Sequence, residues 1–145
     1  MSVKITGGDS ISRKLGDMAN RSTSLPLDTI GAYATQEIID RTIKGMDMDR
    51  RGFVPYKRPE LREKRKAQTG HVDLYLSGNM LSAITHKITG SVVTILFRGE
   101  KENAKAHGHH NGSRWLPQRK FFGLDSNIKA NIIERLQKWI ANGYR

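Results

Sequence analysis

The feature that most constrains the fold is one pair of strand-like runs set between two helical segments. Residues 85–88 and 92–97 are rich in β-branched and aromatic residues and are joined through Gly90, which predicts a β-hairpin. Residues 26–45 and 125–142 instead repeat apolar residues at helical spacing. Helices on either side of a central antiparallel hairpin predict an α+β fold with a small antiparallel sheet.

The helical segments carry start and stop signals. Pro26 suits the first turn of a core helix that ends near Gly45, and Asp125 suits the cap of the last helix. A shorter, weaker helix is predicted from about Ser10 to Asn20, where apolar residues recur at helical spacing. The sheet should therefore be packed by an N-terminal helix pair and a C-terminal helix.

The length of 145 residues permits one core, so we expect a single domain over residues 1–145. Residues 1–25 form its N-terminal arm, residues 46–70 form an extended basic loop, and residues 71–124 carry the sheet. Within that last region a break at Gly78 precedes one or two helical turns.

The composition limits the classes of protein that this chain can belong to. It contains no cysteine, which excludes disulfides, thiolate zinc sites and cysteine nucleophiles. No apolar run is long enough to span a bilayer, and the N-terminus lacks the apolar core of a signal peptide. We therefore expect a cytoplasmic protein that has no membrane partner.

Positive charge is concentrated in one part of the basic loop. The chain has 25 Lys and Arg against 14 Asp and Glu, a net charge of +11, and it attracts polyanions. The basic residues of this run are Arg50, Arg51, Lys57, Arg58, Arg62, Lys64, Arg65 and Lys66. Three interpretations stay open: a solvated charge run, contact with a polyanion such as DNA, or contact with an acidic neighbouring subunit.

The histidines at positions 107, 109 and 110 are candidate metal ligands, because imidazole is a common ligand of transition metals. The nearest carboxylates in the sequence, Glu102 and Asp125, are too distant to complete a local motif. We expect a polar loop in which the histidines pack or face a partner, with neither metal nor cofactor. A metal-dependent nuclease that uses His107 and His109 is an alternative.

Other catalytic patterns are weak. The close carboxylate pair, Asp47 and Asp49, fits a turn at the end of a helix, and Ser77-Gly78 lacks the frame of a nucleophile elbow. The sequence therefore predicts a protein that is not an enzyme.

The segment RWLPQRKFFGLD, residues 114–125, combines aromatics and cations just before the last helix. Cations can meet phosphates and aromatic rings can stack on bases, so a nucleic-acid contact is conceivable. Because Phe121 and Phe122 directly precede a core helix, we expect at least one of them to pack in the core or between subunits.

Four segments, taken in order, resemble the virion morphogenesis, or tail-completion, family of tailed phages. The counterparts of the family's motifs lie at residues 52–56 (GFVPY), 77–84 (SGNMLSAI), 103–107 (NAKAH) and 116–125 (LPQRKFFGLD). The most specific of them is P-x-R-x-F-x-G-L, which begins at Pro117 and has a helix immediately behind it. The likeness covers about two thirds of the chain, from Gly52 onward.

The resemblance implies a structural virion component that is not an enzyme. Such proteins form homomeric rings, usually hexameric, at the head–tail junction or the tail end, next to connector, adaptor and tail tube proteins. It implies a virion location after assembly in the host cytoplasm, and non-specific contact of the basic loop with DNA in the channel. The expected interface residues are Tyr56, Trp115, Arg119, Phe121 and Phe122. The alternative is a free basic nucleic-acid-binding protein.

Overall fold

The computed structural model describes residues 1–6, 25–56, 71–75 and 77–142. The short helix predicted from Ser10 to Asn20 lies outside the described residues. The same holds for six cations of the basic run, Lys57, Arg58, Arg62, Lys64, Arg65 and Lys66.

The sheet is antiparallel and has three strands, β1 (Ser2–Ile5), β2 (Ile84–Thr89) and β3 (Val92–Phe97), in the order β1-β3-β2. β2 and β3 form the predicted hairpin, with Ile84 opposite Phe97 and Thr89 opposite Val92. Together with the helices this sheet confirms the α+β class.

β1 corrects the expectation that the first residues form an arm without a strand. It pairs with the outer side of β3, with Ser2 opposite Leu96 and Ile5 opposite Val93. Val3 and Ile5 alternate with Ser2 and Lys4, which is the two-residue period of a half-buried strand. The sequence signal existed, but it extends over only a few residues.

Four helices occur in the described part of the chain: α1 (Leu27–Ile43), α2 (Asn79–Ser82), α3 (Glu100–Asn111) and α4 (Ser126–Ala141). α1 and α4 confirm the two predicted core helices, and α2 follows the predicted break at Gly78. α1 ends just before Gly45, whose φ of 78° lies in the left-handed region that glycine tolerates. Within the described residues, no helix is long and apolar enough to cross a membrane.

α3 is a second correction, because its histidine-containing part was expected to be a loop. Residues 100–106 are mainly Glu, Lys and Ala, which favour helix, and the helix begins directly after Gly99. Ala106 is the one buried residue of this helix. A helix that is polar on nearly all sides lacks the apolar stripe by which a core helix is recognised in a sequence.

The core lies between the sheet and the helices. α1 packs on β2 and β3 and contributes three buried apolar side chains, and α4 adds two. These residues are Ile30, Ala34, Ile38, Ile128 and Ile132. α1 comes so close to the sheet at Gly31 that an added Cβ would lie 2.4 Å from the His86 ring.

Candidate functional site

The segment between α3 and α4 is held by Arg119, whose side chain is buried. Its Nε donates a hydrogen bond to the carbonyl oxygen of Val54 (3.0 Å) and its Nη2 donates to that of Pro55 (3.3 Å). The guanidinium also lies over the Tyr56 ring, 4.8 Å from the ring centroid, in cation–π geometry. Arg119 therefore joins residues 52–56 to the segment that leads into the last helix.

Phe121 and Phe122 complete the inner side of this segment. Both are buried, at 0% and 3% exposure, and their rings contact Phe97 at centroid distances of 6.3 Å and 4.8 Å. Arg119 is also buried, so all three side chains, which were predicted to lie at a subunit interface, pack inside the single chain. The expectation that at least one of the two phenylalanines packs in the core is met, since both do. Tyr56 is only partly buried.

Trp115 is placed differently from the other predicted interface residues. It is 75% exposed, and the Arg114 guanidinium lies 5.0 Å from its ring centroid. The backbone N–H groups of Trp115 and Leu116 point to the Ser113 hydroxyl oxygen, at 3.3 and 3.2 Å, which fixes the turn that presents the indole. Of the five predicted interface residues, Trp115 is the one whose side chain is largely available to a partner.

A buried ion pair fixes the start of α4. Arg41 of α1 donates Nη1 to Asp125 Oδ2 at 3.0 Å, and its Nη2 donates to the carbonyl oxygens of Phe121 and Gly123. Asp125 also caps α4, because its Oδ1 accepts the Ile128 N–H at 2.8 Å. Burial alone would raise the pKa of Asp125, but the Ile128 N–H and the neighbouring arginines together lower it below its ordinary value.

Two basic residues of the predicted polyanion contact, Arg50 and Arg51, lie on a short loop that is fixed to the Arg119 segment. The Met48 N–H donates to the Lys120 carbonyl oxygen at 2.9 Å, and Asp47 Oδ1 accepts the Arg51 N–H at 2.9 Å. Arg50 adopts a φ of 58° and binds Asp125 Oδ2 through Nε at 3.1 Å. These contacts place both arginines beside the start of α4.

A polar cavity of about 510 Å³ opens between that loop and α4. It is lined by Met48, Asp49, Arg50, Arg51, Leu124, Asp125, Ser126 and Lys129. Lys129 was not among the residues predicted to contact a polyanion, since it lies far from the basic run in sequence. Its position one helical turn after the Asp125 cap was the available signal, but only the fold brings it next to Arg50 and Arg51.

The three histidines lie near the C-terminal end of α3. His107 is exposed and its Nε2 is 2.9 Å from the Asn111 side-chain amide, whereas the Nδ1 of His110 accepts the Phe122 N–H at 3.3 Å. Burial first, and then the positive charge of Arg119, lowers the pKa of His109. Burial, followed by Lys120 and His107, lowers the pKa of His110. Both inner histidines are therefore neutral packing groups near neutral pH.

These positions do not bring the histidines together with carboxylates. Within the part of the chain that is described, no group of three or more His, Asp or Glu side chains is placed to hold a metal ion. Asp47 and Asp49 form the expected turn after the helix, in which Asp47 Oδ1 accepts the Asp49 N–H at 2.8 Å.

Comparison of the chain with protein-family models, with curated proteins and with solved structures gave no match.

Proposed function

We propose that this chain is a structural protein of a tailed-phage virion, a tail-completion or neck protein that forms a homomeric ring at the head–tail junction or the tail end. The ring is most simply hexameric. Its neighbours are connector or adaptor proteins on one side and tail tube proteins on the other. The protein would be made in the host cytoplasm and would reside in the virion.

The observation that carries this proposal is the contact between two segments that resemble the family. Arg119, from the P-x-R-x-F-x-G-L segment, holds the carbonyl groups of Val54 and Pro55, which lie 65 and 64 residues earlier in the GFVPY segment. Chance likeness in two distant segments gives no reason for them to contact each other. The contact therefore supports reading them as parts of one structural unit.

A closed ring also needs two different surfaces on each subunit, because its contacts are heterologous. Trp115 offers one exposed apolar surface beyond the end of α3. A second lies along α4, where Ile133 is 56% exposed and lines an apolar cavity of about 380 Å³ with Ile5, Val93 and Leu136. Exposed aromatic anchors of this kind are typical of the energetic centres of protein interfaces.

The test is the mass of the purified chain in solution, measured by light scattering and followed by electron microscopy of any ring. The proposal predicts particles of several 16.4 kDa chains. Trp115→Ala should shift the mass toward the monomer while the circular dichroism spectrum is unchanged, because the indole makes little contact with its own core. Tyr75→Ala, which removes an aromatic side chain that is 49% exposed, is the matched control and should leave the ring intact.

The alternative is a free nucleic-acid-binding protein, and the cavity between Arg50, Arg51 and Lys129 favours it as the second candidate. It predicts a chain that stays monomeric at all concentrations and binds DNA tightly with a steep salt dependence. A monomer with weak DNA binding at physiological salt would contradict both functions.

A further inference from the structure

We propose that the cavity between Arg51 and Lys129 is a phosphate-binding site for the backbone of double-stranded DNA. The inference deepens the proposed function, on which it rests for the identity of the nucleic acid as DNA that passes the ring. The cavity itself is a feature of the single chain and does not depend on assembly.

Three cations line the cavity: Arg50, Arg51 and Lys129. Arg51 and Lys129 are both exposed, and neither side chain has an ion-pair or hydrogen-bond partner among the described residues. Arg50 uses its Nε on Asp125, and no other side-chain partner occurs for it in the described ranges. Arg51 and Lys129 therefore bring to one opening two cations that are not paired with a carboxylate among the described residues.

Two carboxylates, those of Asp49 and Asp125, also line the cavity. Asp125 is compensated from below by Arg41, at 3.0 Å, and from the side by Arg50, at 3.1 Å. Its carboxylate also accepts the Ile128 N–H, so little of its charge is left to repel an anion. Asp49 is the second carboxylate of the lining. It is exposed to solvent, and its backbone N–H donates a hydrogen bond to Asp47 Oδ1.

The backbone that carries Arg51 and Lys129 is held in place before any ligand binds. The loop that carries Arg51 is fixed by the Met48 hydrogen bond to Lys120 and by the bridge between Met46 and Gly52, while Lys129 stands on the first turn of α4. A site held between a fixed loop and a helix loses less conformational entropy on binding than a flexible basic tail does.

Phosphate is the anion that best suits these side chains. Arginine presents a planar fork that fits phosphate oxygens in bidentate fashion, and the site supplies two arginines with one lysine as a point charge. The cavity also lies at the beginning of the basic run, of which Arg50 and Arg51 are the first two members. A DNA strand presents phosphates in series that can meet all three cations of the lining, so DNA is favoured over an acidic peptide.

The experiment measures binding of the full chain to short labelled duplex DNA by fluorescence anisotropy over a series of salt concentrations. The test variant is Arg51→Gln/Lys129→Gln, and the control is Lys87→Gln/Lys101→Gln, which removes the same charge from exposed positions on β2 and α3. Arg50 is left in place because it binds Asp125. Circular dichroism and thermal midpoints check that both variants are folded.

The site predicts that the test variant binds DNA at least about tenfold more weakly and that its log–log salt slope falls by about 2, since each lost phosphate contact removes about 0.9 from the slope. The control should change the slope little. Equal losses in both variants would overturn the site and leave only a diffuse positive field.

Polyglutamate serves as the probe for the acidic-protein alternative. If it bound more tightly than DNA, and if only the test variant weakened it, the cavity would be an acidic-protein contact and the DNA assignment would be wrong. Light scattering on the same samples separates the fate of the site from the fate of the ring. A wild-type chain that forms the ring but does not bind DNA rejects the phosphate site alone, and a persistent monomer whose DNA binding is weakened only in the test variant rejects the ring alone.

Discussion

Replacement of Arg119 by alanine should destabilise the fold of the chain. The side chain donates two charge-assisted hydrogen bonds, to Val54 and Pro55, and bonds of this kind contribute about 1.5–3 kcal/mol each. Its contact with the Tyr56 ring adds about 0.5–2 kcal/mol. Desolvation of the buried guanidinium offsets several kcal/mol of this gain. We therefore expect Arg119→Ala to lower the free energy of unfolding by about 3 kcal/mol.

The assay is guanidinium chloride unfolding followed by circular dichroism. Arg119→Lys keeps the charge but loses the planar fork, so its loss should be intermediate, at about 1.5 kcal/mol. Arg135→Ala is the matched control, because Arg135 also lies over a tyrosine ring, that of Tyr33 at 4.0 Å, but is exposed. Its removal should cost less than about 1 kcal/mol.

Unfolding should be measured at two protein concentrations, since subunit association adds a concentration-dependent contribution to apparent stability. If Arg119→Ala were as stable as Arg135→Ala at both concentrations, Arg119 would not be a buried clamp. A role of Arg119 in contact with a neighbouring subunit, as predicted from the sequence, would then be favoured.

Three further predictions concern titration and packing. Asp125→Asn should be less stable than the wild type at neutral pH, and the two should converge below about pH 4. The pKa of Asp125 is lowered in the folded state, so the carboxylate stabilises the fold above its unfolded-state pKa, and this stabilisation is lost as the pH falls through its folded-state pKa. Chemical unfolding over a pH series measures the free energy of unfolding of both proteins. The wild type should also lose stability as the pH falls below about 6.5, since the pKa values of His109 and His110 are lowered in the folded state and protonation of these side chains favours unfolding. If a His109→Gln/His110→Gln variant kept the same dependence of stability on pH in this range, that reasoning would be wrong. Gly31→Ala should gain about 1 kcal/mol of helix propensity, yet its Cβ would meet the His86 ring at 2.4 Å, so we expect a lower thermal midpoint that Gly31→Ala/His86→Ala partly restores.

The parts of the fold that bury an apolar face could be predicted from the sequence. α1 and α4 repeat apolar residues at helical spacing because each packs against the core, and the hairpin combines β-branched residues with a glycine turn. α3 could not be recognised in this way, because only Ala106 of that helix is buried. Its helical propensity was the available signal, but propensity alone is weaker than a periodic pattern.

The site was less predictable than the fold, because its contacts join distant parts of the chain. An arginine in a polar segment is ordinarily exposed. Arg119 can be buried because the carbonyl oxygens of Val54 and Pro55, 65 and 64 residues earlier, accept its hydrogen bonds. Lys129 looks like any surface residue of an amphipathic helix until the fold places it opposite Arg51. The sequence indicated which residue types matter in residues 114–125, but not which of them face inward.

If the proposed function holds, a tailed phage encodes this chain. The most direct test is then quantitative mass spectrometry of the purified virions of that phage, joined to imaging of the head–tail junction and the tail end. The account predicts a fixed small copy number, six for a hexameric ring, located at one of these two positions with Trp115 at the contact between subunits. Absence of the chain from purified virions, when it is abundant in the infected cell, would contradict the account.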